Sequence, residues 1–173
     1  MSISFYDLTV GTYEQILRGA LGTLEKSQAH FTEQGVDLNE ILKASLIEDM
    51  WDFHMQVISF NHHSAQTIAA LTSGEFVPPL GYEPRDYDGL VQMTKDSLAT
   101  MEAQNPETIN AMADNGILFK LGKNEMPFTA RNFALSFSLP NFYFHTTTAY
   151  DILRMKGAPV GKMDFIGKLK LGS

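Results

Sequence analysis

Cysteine is absent from this chain, which excludes disulfides, thiolate metal ligands and cysteine nucleophiles together. Long apolar runs are missing too. No stretch approaches the roughly 20 residues that a bilayer-spanning helix needs, and Met1-Ser2-Ile3-Ser4-Phe5 has neither a basic lead nor an apolar core of a signal peptide. A soluble cytoplasmic protein without a membrane partner is expected. Basic residues are outnumbered, 13 against 20 acidic, giving a formal charge of -7 and no lysine or arginine cluster. Nucleic acid is therefore a poor partner. Also lacking are a Gly-x-Ser-x-Gly elbow and a phosphate-cradling glycine loop ending in Lys-Ser or Lys-Thr, so acyl transfer through a serine elbow and nucleotide hydrolysis find no motif.

What is present is hydrophobic periodicity. At 173 residues and 44% hydrophobic content, one domain spanning residues 1–173 with a substantial core is expected. Val10, Tyr13, Ile16, Leu17, Ala20, Leu21, Leu24 and Phe31 repeat at three and four, which predicts a helix over 9–34 stopped by Gly35. The pattern resumes at Leu38, with a break near 44–47, and runs to about Thr72 as a second helix whose latter part holds roughly 25 residues. Pro78, Pro79, Gly81 and Pro84 mark a crossing loop, after which Asp86 or Asp88 caps a third helix over 89–104. A short helical turn follows Asn105-Pro106. Two β-like runs about Gly122-Lys123-Asn124 suggest a small hairpin. Thr129 then caps a fourth helix to about Lys156, and the tail beyond Ala158 reads as extended and packed. The expected fold class is all-α, a four-helix bundle with a small β-hairpin or irregular insertion before the last helix.

Without cysteine, the histidines at 30, 54, 62, 63 and 145 are the natural transition-metal ligands. At 100° per residue His54, Ile58 and His62 form one drifting row, His63 lies about 180° from His54 and reads as solvated, and His30 reads as a surface residue. His145 sits on the row Phe142, His145, Ala149, Ile152, taken as the inward face of the fourth helix. His54 or His62 across from His145 is the histidine constellation that facing helices can form, with Glu48, Asp49 or Asp151 as open carboxylate choices. A core histidine bonded to a neighbouring hydroxyl or carboxylate is the simpler reading of His145. Pro140 removes a backbone donor and leaves the Ser136 carbonyl without its helical partner, or else begins a new helix.

Leu46, Asp49-Met50 and Gln56-Val57, followed by Leu139-Pro140-Asn141-Phe142-Tyr143-Phe144-His145, Thr148-Ala149-Tyr150-Asp151-Ile152-Leu153-Arg154, Gly161-Lys162 and Asp164-Phe165-Ile166-Gly167, resemble a bacterial domain-of-unknown-function family, numbered nineteen-ninety-three. That family is grouped with the DinB/YfiT-like metalloenzyme superfamily. The resemblance implies a DinB/YfiT-like four-helix bundle, commonly a homodimer, and a metal held by one histidine of helix two and a His-x-x-x-His pair of the last helix. His62 and His145 are the nearest matches, yet the position four after His145 is Ala149, which offers no lone pair. The expected protein therefore binds a small ligand in a polar cavity around His54, His62 and His145 without a complete three-histidine site. A metal-dependent transferase or hydrolase using His62 and His145, with a divalent transition metal at low occupancy, is the alternative. A non-catalytic structural or stress-associated homodimer is the third reading.

Overall fold

In the computed structural model, which describes residues 3–169 and 171, the helices begin mostly where a side-chain oxygen covers the free N–H groups of a first turn. Ser4 and Asp7 box the start of α1 (Phe5–Leu8), and α2 (Val10–Glu33) follows after Thr9. Asp37 caps the short α3 (Leu38–Leu42), and Asp52 accepts from the Met55 N–H to open α4 (Phe53–Ser73). The second sequence helix is thus two helices, separated by residues 43–52 rather than by a break at 44–47.

Gly74, at φ 75°, ends α4 in the left-handed region and turns the chain directly into β1 (Glu75–Phe76). Asp86 caps α5 (Tyr87–Glu102), and Asn105 with Pro106 starts α6 (Pro106–Ala111). Next come β2 (Gly116–Leu121) and β3 (Asn124–Thr129), an antiparallel hairpin whose two-residue turn begins with Gly122 at φ 61°. The hairpin is expanded into a sheet of order β1-β2-β3 because β1 pairs parallel to β2. The fold is therefore mostly helical with a small three-stranded sheet, which adds β1 to the expected hairpin.

The last long helical segment starts as expected at Thr129, whose hydroxyl accepts from the Asn132 N–H at the head of α7 (Ala130–Phe133). It then widens into a π-helical turn, Ala134–Ser138, before continuing as α8 (Leu139–Met155). The Leu139 N–H reaches back five residues to the Ala134 carbonyl. This wider turn re-registers the hydrogen-bond ladder one residue ahead of Pro140, which has no N–H to contribute.

The tail is corrected from extended to helical, since Lys162–Ile166 forms α9 against α2. Gly19 makes that approach possible: a Cβ there would lie 2.1 Å from the Phe165 carbonyl oxygen. Lys26 and Asp164 pair at 3.0 Å across the same junction.

Among the long helices α4 packs on α8 and α5, and α2 packs on α5 and α8. Leu17, Val57, Phe60, Leu90, Phe142 and Ile152 meet in the core they enclose, each such burial worth about 1.5–3 kcal/mol before entropy is subtracted. The sheet then covers another side of α4. As a result every residue from Gln56 to Ser64 is buried, and over this stretch α4 has no solvent face.

Candidate functional site

His62 and His63 are adjacent on α4 and both are buried, 4% and 3% exposed. The expectation that His63 is solvated is therefore corrected. Its helical phase does point away from His54, but β1 and the π-turn occupy that direction, so the phase leads to a second interior surface.

His62 serves the crossing loop. Its Nε2–H donates to the Val77 carbonyl at 2.7 Å, and its Nδ1 accepts from the Tyr82 hydroxyl at 2.9 Å. The carbonyl can only accept, which fixes the tautomer. His54, half-buried, ties the far end of the same loop by accepting from the Arg85 N–H at 3.1 Å. Neither His54 nor His62 lies against His145, and His30 is a half-buried residue in the last turn of α2.

His63 is the residue brought to His145. The two imidazole rings lie 5.9 Å apart, centroid to centroid, and are parallel within 14°. Trp51 continues the run beyond His145 at 5.7 Å and 16°, while Phe76 continues it beyond His63 at 5.5 Å and 27°. Four near-parallel rings from the α3–α4 connection, α8, α4 and β1 thus stand in series.

Hydrogen bonding separates these two histidines from His62. Gln56 donates its amide N–H to the Trp51 carbonyl at 3.0 Å, so its Oε1 faces His145 Nδ1 at 2.7 Å and that nitrogen must carry the proton. The Nε2 of His145 is left with a lone pair and no partner among the described residues. His63 bonds no described residue through either nitrogen, and its Nδ1 is fully enclosed. Nδ1 therefore goes unsatisfied in either tautomer, as an orphaned N–H or as an unmet lone pair, and the second is the cheaper, which puts the hydrogen on Nε2.

Both rings are held neutral. Burial pushes His63 from the ordinary 6.5 down to about 3, with the neighbouring His145 and His62 adding to the fall. Burial alone takes His145 down to about 4.

These rings open on a cleft of about 250 Å³, whose walls include Trp51, His63, Phe76, Phe137, Asn141 and His145. Pro78 and Pro79 of the crossing loop, with Phe119 and Leu121 of β2, complete it. Asn141 stands one turn before His145 on α8; its amide N–H donates to the Phe137 carbonyl at 2.7 Å and its Oδ1 bonds no described residue. Ala149, four residues after His145, packs its side chain in the core. The neighbour that shares the cleft is four residues before. A signal for His63 was available: α4 contains no Asp, Glu, Lys or Arg from Phe53 to Ser73, the mark of a helix buried on more than one side.

The backbone beneath His63 is fixed by buried hydroxyls. Its carbonyl accepts from Thr67 Oγ1 at 2.6 Å and from Ser138 Oγ at 2.7 Å, and Ser138 in turn accepts from the Tyr13 hydroxyl at 2.8 Å. Ser138 is the last residue of the π-turn, so the irregularity before Pro140 places a hydroxyl against α4. Burial raises Tyr13 to about 12, which keeps this network uncharged.

Helices packed in this way around an enclosed α4 define a DinB-like protein. A crystal structure of a DinB family member protein from Shewanella denitrificans is similar over 97% of this chain and 94% of that chain, with a TM-score of 0.77 and 26% sequence identity. Residues 5–166 match the family described as Domain of unknown function (DUF1993), and the chain belongs to that family. No curated protein matches it. No helix among the described residues is long and apolar enough to cross a membrane.

Proposed function

We propose that the chain is a single-domain, four-helix DinB-type protein that binds a small molecule in the cleft between α4 and α8. The observation that carries this reading is His63, a buried imidazole with no hydrogen-bond partner among the described residues, set in the wall of a cleft large enough for a ligand. An unsatisfied buried donor costs about 1–3 kcal/mol, and a protein keeps such a cost where another group supplies the bond. Relative to the sequence expectation, His63 takes the place given to His62, and His62 and His54 become anchors of the loop that walls the cleft.

A metal ion, implied by the superfamily resemblance, does not fit these residues. The donor set is two neutral imidazoles and one amide oxygen, and no group of three His, Cys, Asp or Glu side chains arranged to hold an ion occurs among the described residues. A catalytic zinc-type site uses three strong protein donors plus water.

The cleft reading is tested by histidine imidazole NMR of untagged protein against a library of small uncharged fragments. Binders should shift His63 and His145 and leave His30 in place. A library that moves neither ring would sink the reading. Elemental analysis of the same sample should find well under one equivalent of transition metal per chain; about one tightly held ion would promote the metal-dependent alternative.

Self-association is part of the same proposal. Leu135, Tyr143, Phe144 and Met155 are exposed along the π-turn and α8, an apolar set suited to a symmetric pair. Light scattering at micromolar concentration should report a homodimer, and a monomer would remove that element.

A further inference from the structure

We propose that the cleft receives an uncharged one- or two-ring compound whose polar edge carries a hydrogen-bond donor beside an acceptor, as in a heteroaromatic lactam. The inference rests on the cleft reading above and names the ligand class that this site selects.

Charge is excluded first. No Lys, Arg, Asp or Glu side chain lines the cleft among the described residues. A carboxylate or ammonium entering it would lose its hydration without meeting a counter-charge, which costs several kcal/mol. The imidazoles do not supply one, because burial keeps both neutral well below physiological pH.

Polarity of the edge follows from three unpartnered groups. His145 has its Nδ1–H committed to Gln56, so its Nε2 can only accept, and a ligand must bring a donor to it. His63 Nδ1 is enclosed, so the tautomer that avoids burying an N–H there carries its hydrogen on Nε2, and that N–H needs an acceptor. Asn141 keeps a free Oδ1, with one amide N–H already given to Phe137. A ligand that only donates or only accepts leaves one imidazole unsatisfied. A lactam N–H beside its carbonyl meets both demands on one edge.

The body of the ligand is set by the remaining walls. Phe76, Phe119, Phe137, Pro78, Pro79 and Leu121 are apolar and mostly ring-shaped, and they suit a flat hydrophobic framework. At about 250 Å³ the space is below the roughly 300 Å³ where drug-sized pockets begin, which limits the framework to one or two rings.

The test uses three bicyclic probes of similar size titrated into untagged protein: 2-quinolone, naphthalene and 2-naphthoate. Binding is read from the imidazole resonances of His63 and His145 and from the dissociation constant. The expected result is saturable binding of 2-quinolone, at least tenfold tighter than naphthalene, with 2-naphthoate failing to saturate. Asn141→Leu and His63→Phe, each checked for native circular dichroism, should both weaken 2-quinolone several-fold while leaving naphthalene within twofold. If naphthalene or 2-naphthoate equals 2-quinolone and still shifts both histidines, the ligand class is wrong and the cleft reading survives. If no probe shifts either histidine, both fall together.

Discussion

His62 and His63 share a helix, a residue type and nearly complete burial, yet among the described residues one ring makes two hydrogen bonds and the other none. His62 is finished by its own chain: Val77 and Tyr82 saturate the ring and hold the crossing loop to α4. His63 is left open toward a cleft, stacked between Phe76 and His145. Burial alone therefore does not separate a histidine that its own chain satisfies from one that it leaves open. The hydrogen-bond inventory does, because satisfying both ring nitrogens is what stability asks of an interior imidazole.

The largest expected effect breaks the comparison by protonating the open side. His63 and His145 have folded values near 3 and 4, below the 6.5 of an exposed imidazole, so the unfolded chain binds more protons as pH falls. Stability is complete above about pH 6.5 and is lost as the pH drops toward these folded values. Each ring contributes about 1 kcal/mol per pH unit, and urea titrations at pH 7 and pH 5 should differ by on the order of 3 kcal/mol. In His63→Phe that slope should shrink. A flat profile over this interval would mean that neither ring is held neutral.

A smaller loss is expected on the satisfied side. His62→Ala removes a buried ring together with both bonds to the part-buried loop contact, costing about 2 kcal/mol in urea unfolding. Tyr82→Phe deletes one of those bonds and should cost about 1 kcal/mol. If His62→Ala were as mild as Tyr82→Phe, the loop would not depend on the histidine as its hydrogen bonds indicate.

The smallest effect is also the most discriminating. His63→Phe removes an enclosed ring nitrogen without a partner while keeping a ring among Phe76, Phe137 and His145, so stability should change by less than about 1 kcal/mol, with stabilisation the favoured direction. Thermal unfolding at pH 7 checks this. A loss as large as that of His62→Ala would show that His63 has structural bonds of its own.

Much of the helical order was legible. The spacing around Leu17 and Leu24, the caps at Asp37, Asp86 and Thr129, and the hairpin about Gly122 are local features, set by side chains within a few residues of where they act. The divergence began where a helix has more than one buried side. Phase arithmetic assumes one inward face, and α4, covered by α5, α8 and the sheet, has several. The third strand escaped because Glu75 and Phe76 become β-structure only through parallel pairing with Leu118 and Phe119, more than 40 residues later.

By itself the sequence determined where the long helices lie, which residues cap and stop them, and that neither a cysteine nor a cluster of lysines and arginines is available. Tertiary structure decided which histidines meet. His63, Asn141, His145, Trp51 and Phe76 come from separate segments whose relative placement depends on the π-turn, the β1 pairing and the hydroxyls of Tyr13, Thr67 and Ser138. Such contacts are fixed by packing between elements, and helical periodicity carries no information about which of several buried faces a neighbouring element will cover.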